Sequence, residues 1–102
     1  MAKRVYIYKI TCLVNGKVYI GRTVKQTHKR LREHFSESKY VKNNKPLYVD
    51  MKKYGREQFC VETVCEFFAD SFEAADTVEL SFIEKHNAFY PNGYNKRRVA
   101  CG

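Results

Sequence analysis

Hydrophobic and polar positions alternate from Val5 to Gly21, in VYIYKITCLVNGKVYIG, with a break at Asn15-Gly16. Alternation with a period of two marks a half-buried strand. Asn-Gly between two such runs is the dipeptide favoured by a type I′ hairpin turn, because both of its central residues need positive φ. With Asn15 and Gly16 as the loop, Val14 faces Lys17, Cys12 faces Tyr19 and Ile10 faces Gly21. Tyr6, Tyr8, Ile10 and Cys12 then share one face with Tyr19 and Gly21. Three tyrosines meet there beside a glycine that leaves room. By itself this is also the pattern of a wet aromatic surface on a half-buried sheet, where tyrosine is a favoured residue.

The period then changes. After a polar connection, Arg22 to Gln26, a helix is predicted from about Thr27 to Ser38, with Thr27 as N-cap and Leu31 and Phe35 as an i, i+4 apolar pair. Arg30 and His34 have the same spacing and sit on the edge of that stripe, so both can point at the hairpin; Arg30 can equally pair with Glu33 or Glu37. Pro46 opens a second helix, whose Leu47, Tyr48, Met51 and Tyr54 recur at helical spacing; Gly55 stops it. From Phe59 to Phe67 the period returns to two, with Phe59, Val61, Thr63, Cys65 and Phe67 on one face of a third strand. Ser71 caps a third helix that runs to about His86 or Asn87. Pro91 to Asn95 has turn chemistry, and Asn95 either orients a site or bonds the turn.

The order β-β-α-α-β-α predicts an α+β fold: a small three-stranded antiparallel sheet flanked by three helices. The sheet cannot be all parallel, because a tight turn joins its first two strands. At 102 residues the chain suits a single domain, 1–102, with one core. No apolar run approaches the ~20 residues of a membrane span. Met1-Ala2-Lys3-Arg4 leads into the first strand without the apolar region of a signal peptide. A protein of the cytoplasm, or of a host cell's cytoplasm or nucleus, is therefore expected rather than a secreted one. The cysteines, Cys12, Cys60, Cys65 and Cys101, form no CxxC pair and read as reduced structural thiols.

One position resists its surroundings. Phe72, Ala75, Glu79, Phe82, Ile83 and His86 fall on one face of the third helix, with Glu79 near the middle of the apolar stripe. A carboxylate there is costly unless it is paired, hydrogen-bonded, protonated or bound to metal. Charge adds a second constraint. Lys plus Arg total 19 against 11 acids, a net charge of +8, which favours a polyanionic partner. The bases cluster: Lys25, Lys29, Arg32, Lys39, Lys42 and Lys45 are the candidate nucleic-acid contacts, beside Arg30, and Lys96-Arg97-Arg98 follow near the end. Tyr40 is placed to stack on bases, as are Tyr48 and Tyr54 unless the second helix buries them.

Tyr6-Ile7-Tyr8 followed by Tyr19-Ile20-Gly21 resembles the paired motif of the GIY-YIG nuclease family. The segment Lys29 to Phe35, with Arg30 and His34, resembles that family's helix. Glu79 resembles its metal-binding Glu, and Asn95 its C-terminal Asn. The resemblance spans about Val5 to Asn95, with Tyr6 where the first motif usually has Gly and with one additional residue between Gly21 and Arg30. It implies a three-stranded sheet flanked by helices and a metal-dependent DNA endonuclease leaving a 5′-phosphate and a 3′-hydroxyl.

Phosphodiester hydrolysis needs an activated water, a Lewis acid and cationic help for the phosphate. One carboxylate with waters and substrate oxygens is a usual Mg²⁺ arrangement. Glu79 is the single metal ligand expected, for one Mg²⁺ (or Mn²⁺) per site. Arg30 is the phosphate clamp. The resemblance points to the tyrosine pair for the general base; Tyr8 is the choice, provided a nearby cation lowers its pKa from ~10. Tyr19 positions water or substrate, His34 moves a proton or holds Tyr8, and Asn95 fixes geometry. DNA is the expected partner. A lone site nicks one strand, so two cuts need a dimer or two visits; the resemblance implies either a stand-alone small nuclease or a catalytic part that works with a separate DNA-targeting domain or protein. The competing reading is a non-catalytic, basic nucleic-acid-binding module; it leaves Glu79 unexplained. Convergence of Tyr8, Tyr19, Arg30 and Glu79 on one cleft separates the two.

Overall fold

The computed structural model describes residues 2–40 and 45–96. Along the described chain come β1 (Lys3–Cys12), β2 (Val18–Thr23), α1 (Thr27–Ser38), α2 (Pro46–Tyr54), a 3-10 turn (Arg56–Gln58), β3 (Phe59–Ala69) and α3 (Phe72–Lys85). The strands form one antiparallel sheet in the order β2-β1-β3, which is the predicted α+β architecture. None of the helices among the described residues is long and apolar enough to cross a membrane.

The hairpin register differs from the expectation by two residues. Tyr8 pairs with Gly21 and Ile10 with Tyr19, and Cys12 N–H bonds the Lys17 carbonyl across a longer loop. The loop therefore spans residues 13–16, not Asn15-Gly16 alone. Only Gly16 in it has positive φ, 76°, so this is not a type I′ turn, which needs two such residues. The Asn15 side chain accepts from Lys17 N–H instead, an Asx-type bond that stabilises the tighter end of the loop. A shift of two preserves the parity of side chains, so Tyr8, Ile10, Cys12, Tyr19 and Gly21 still share a face.

Helices cover both faces of the sheet. On one, Tyr8, Ile10, Cys12 and Phe59 pack with Leu47, Tyr48 and Met51 of α2 and with Leu31 and Phe35 of α1. On the other, Ile7 and Ile20 pack with Val78, Phe82 and Ile83 of α3. β3 contributes to both. Ile7 pairs with Cys65 but Tyr8 with Thr63, so Val64 is an extra residue, a β-bulge that reverses the alternation. Phe59 and Val61 face α1 and α2, whereas Cys65 and Phe67 face α3. The single apolar face expected of this strand is split in two.

Helix ends follow local chemistry with one exception. Pro46 opens α2 and Gly55 ends it. Ser71 Oγ accepts from Ala74 N–H at the start of α3. The N-cap of α1 is Gln26, without a side-chain bond, rather than Thr27. Thr27 is the first helical residue, and its hydroxyl bonds that of Thr63 on β3. Phe72, placed in the core stripe of α3 by its spacing, is exposed and lies under the Arg22 guanidinium; the buried stripe begins at Ala75.

Candidate active site

β2 is an edge strand, and the site is built over that edge. A cleft of about 580 Å³ lies between α1, the start of α2, α3 and the C-terminal segment, with Tyr19, Arg30, His34, Glu79 and Asn95 in its lining. Five of the six residues singled out by the sequence thus meet in one place, from four separated parts of the chain.

Tyr8 is the sixth: it is not in the lining, but its hydroxyl meets Arg30 and His34, which are. It is 1% exposed, and its ring crosses opposite Gly21, where an added Cβ would come 2.3 Å from the phenolic oxygen. The glycine of the second motif is therefore the space that Tyr8 occupies. Its hydroxyl is 2.8 Å from His34 Nε2. Burial and the neighbouring Tyr19 push its pKa well above the usual phenol range, and the opposing Arg30 is too weak to reverse this. The lowered pKa expected of Tyr8 is thus corrected: desolvation of a phenolate outweighs one partly exposed guanidinium.

Tyr19, on the edge strand, is the member of the Tyr8–Tyr19 pair that lines the cleft. Its ring meets His34 edge-on, with centroids 5.4 Å apart. His34 is 2% exposed. Burial, then the Arg30 charge, lower its pKa to about 4, so the imidazole is neutral at pH 7. Arg30 reaches the cleft while standing 3.3 Å from Glu33 and 3.6 Å from Glu37. Both readings of Arg30 hold together: the carboxylates orient it from behind.

Glu79 faces the cleft from α3 with its side chain 13% exposed, 3.7 Å from Arg22 Nη1. Arg22 also bonds Asp76, one turn earlier on α3. The sequence reading missed Arg22 because it ended the second strand at Gly21, and missed Asp76 although it stands at i−3 from Glu79, on the same helix face. Among the described residues no group of three or more His, Cys, Asp or Glu gathers as a ready-made metal cage. The donor set present still suits a hard divalent ion: carboxylate oxygens at Glu79 and Asp76 beside an open cleft, which leaves room for waters and substrate oxygens. A carboxylate has about four acceptor positions, so an ion at Glu79 does not require Arg22 to leave.

The backbone of Asn95 bonds its own turn, accepting from Tyr90 N–H and donating to the Ala88 carbonyl, but its side chain reaches the sheet. Its Oδ1 accepts from Ile20 N–H and its Nδ2 donates to the Ile20 carbonyl, each at 2.8 Å. It acts as one more rung on the edge of β2, beside Tyr19. Tyr94 N–H bonds the Val18 carbonyl on the same strand, and the Tyr94 hydroxyl donates to Asp50 of α2 at 2.6 Å. The C-terminal segment thereby ties the edge strand to α2.

The basic stretch divides. Lys45 lines the cleft, and so does Lys96, a residue of the second basic cluster. Lys29 and Arg32 border a separate shallow hollow with Tyr40. Lys25 bonds Glu33 at 2.6 Å. Lys39 is exposed, and Lys42 lies outside the described residues, as do Arg97, Arg98 and Cys101. Tyr40 is exposed, but Tyr48 is buried in the core and Tyr54 is half-buried, so Tyr40 alone of the three stays open for stacking.

Residues 4–95 match the GIY-YIG catalytic domain family. Among solved structures the chain is similar to a mutant of the catalytic domain of intron endonuclease I-TevI, with a TM-score of 0.78 and 25% identity over 97% of this chain and 99% of that one. It is also similar in fold to the catalytic domain of homing endonuclease I-TevI, with a TM-score of 0.74 and 24% identity over 96% of this chain and 100% of the other. Comparison with curated proteins gives no match.

Proposed function

The chain belongs to the GIY-YIG family and is a nuclease domain of that kind, and from this premise we propose that it is a divalent-metal-dependent DNA endonuclease, hydrolysing a phosphodiester by in-line attack of water to leave a 5′-phosphate and a 3′-hydroxyl. The observation that supports the reading is the convergence of Tyr19, Arg30 and Glu79 on one cleft, with Tyr8 buried next to its lining residue His34 rather than in the lining itself. A module that only binds nucleic acid has no use for a carboxylate in the lining of its groove, where it repels a polyanion.

Glu79, with Asp76 nearby, would hold a Mg²⁺ or Mn²⁺ ion. The ion, when bound, supplies Lewis acidity to the phosphate and the leaving oxygen. Arg30 clamps the scissile phosphate with its fork of donors. Tyr19 orients the attacking water. Tyr8 takes the proton from that water, but with a raised pKa it cannot wait as a phenolate. It takes one proton as it passes its own to His34 Nε2, the group its hydroxyl already touches. Neutral His34 is competent to receive it. Asn95 keeps the edge strand, and with it Tyr19, in place. One such cleft acts on one strand, so a double-strand break takes a dimer or two visits, and target choice takes a separate DNA-targeting domain or protein.

Cleavage of supercoiled plasmid tests this. Nicking with Mg²⁺ is expected to stop in EDTA and to fall about a hundredfold or more in Glu79→Ala, a rise of ~3 kcal/mol in the barrier, with DNA binding largely retained. A folded Glu79→Ala protein that cuts at the wild-type rate would remove the metal assignment. Wild-type protein that binds DNA without cutting it in Mg²⁺ or Mn²⁺ would favour the binding module.

A further inference from the structure

Behind the cleft runs a chain of hydrogen bonds whose direction is fixed from one end. Tyr8 Oη is 2.8 Å from His34 Nε2, His34 Nδ1 is 2.8 Å from Tyr48 Oη, and Tyr48 Oη is 2.5 Å from Glu37 Oε2. An ionised carboxylate only accepts, so Tyr48 gives its one proton to Glu37. That bond holds the Glu37 pKa below the usual carboxylate range, and the carboxylate remains charged. The Tyr48 oxygen then has only lone pairs left for His34, so Nδ1 must carry the imidazole hydrogen. Neutral imidazole has one N–H. Nε2 is therefore bare and points at the Tyr8 hydroxyl.

We propose that Tyr48 and Glu37 are positioning residues of the nuclease site, holding His34 in its Nδ1–H tautomer so that Nε2 is the proton acceptor for Tyr8. The proposal rests on the nuclease reading for its consequence, not for its geometry. As hydrolysis begins, an O–H bond of the attacking water breaks and its proton joins the Tyr8 oxygen. The proton of Tyr8 passes to Nε2. The hydroxide forms the new P–O bond, the bond to the 3′-oxygen breaks, and that oxygen takes a proton from solvent. His34, now an imidazolium, later releases its extra proton to solvent. While charged, it donates through Tyr48 toward the Glu37 carboxylate, which offsets the new charge. The second oxygen of Glu37 lies 3.6 Å from Arg30, so one carboxylate steadies both the proton acceptor and the phosphate clamp. Partners that orient a metal-bound histidine are worth ~10–100-fold in activity, and an effect toward the lower end of that range is expected for His34.

Neither Tyr48 nor Glu37 carries a nuclease signature in the sequence. Tyr48 reads as a core residue, and it is one, 2% exposed; its hydroxyl reaches out of that core to His34. Glu37 reads as a pairing partner of Arg30 on α1.

The tautomer is directly observable. In the wild-type protein near pH 7, the ring nitrogens of ¹⁵N-labelled His34, assigned by their loss in His34→Gln, should give a protonated Nδ1 and an unprotonated Nε2. Tyr48→Phe and the more exposed change Glu37→Ala should each shift the population toward Nε2–H and slow plasmid nicking with Mg²⁺ about tenfold or more. Glu37→Gln retains an acceptor oxygen for Tyr48 and should restore the wild-type tautomer. A wild-type His34 protonated on Nε2 would overturn the proposal, as would a folded Glu37→Ala protein with unchanged tautomer and rate. If the wild type has the expected tautomer but cuts no DNA, the nuclease reading fails while the order of hydrogen bonds stands.

Discussion

At Tyr8 the spacing of residues and the depth of burial give different chemistry. Alternation along the strand correctly puts Tyr8, Tyr19 and Gly21 on one face, because parity is a local property of the backbone. Depth is not local: it depends on α1 and α2 closing over that face. Burial then turns a phenol expected to ionise readily into one that resists ionisation. Glu79 was legible for the opposite reason, since a carboxylate in an apolar stripe is anomalous whatever packs against it. His34 follows the same logic as Tyr8, and its cost is measurable. Its pKa is near 6.5 unfolded and lowered to about 4 folded, by burial first and then by Arg30. Between those values the unfolded chain binds more protons, so stability rises with pH across that window and this contribution is lost as the pH falls through it. The size is about 3 kcal/mol. Urea unfolding at steps from pH 4.5 to 7 should give a steeper rise for the wild type than for His34→Gln. Equal slopes would mean that His34 is not held neutral in the fold.

Elements were easier to place than their registers. The bounds of α1, α2 and the start of α3 follow from periodicity, Pro46, Gly55 and Ser71, all local signals. The bulge at Val64 shows only in the pairing with β1, where it turns Phe59 and Val61 to one face of the sheet and Cys65 and Phe67 to the other. Nothing in Thr63-Val64-Cys65 announces it. The hairpin shift has a similar origin. Asn15-Gly16 suits a two-residue turn, but the pairing that puts Gly21 opposite Tyr8 requires a longer loop, and a close-packed ring against a glycine outweighs a turn preference. Asn95 belongs to this scale, because it completes an edge strand. Asn95→Ala would leave Ile20 N–H and C=O without their side-chain partners, at about 1 kcal/mol for each neutral hydrogen bond, or ~2 kcal/mol together. A lower urea midpoint with faster amide exchange at Ile20 is the expected result. Loss of cutting without either change would instead give Asn95 a direct part in the chemistry.

For the molecule as a whole, charge matters through where the fold puts it. A net charge of +8 attracts any polyanion, and in the sequence Lys25, Lys29, Arg32, Lys39, Lys42 and Lys45 look alike. The fold separates them. Lys45 and Lys96 approach the cleft from the start of α2 and from the C-terminal segment, and Arg30 approaches it from α1, whereas Asp76 and Glu79 enter from α3. A duplex lying across the cleft would meet cations from three elements and carboxylates from one. On the proposed reading, this asymmetry would orient a phosphate toward Arg30 and leave the α3 side for a divalent ion. Each lysine that neutralises a phosphate releases counterions, so log K falls with log salt by about 0.9 per contact. In EDTA, to prevent cutting, Lys45→Ala and Lys96→Ala should each weaken binding to duplex DNA alike across sequences and reduce the salt slope by about 1. Lys25→Ala should leave the slope close to wild type, because its ammonium already bonds Glu33. If Lys25→Ala lowers the slope and the cleft lysines do not, DNA runs along the outer face of α1, and the cleft does not receive the backbone.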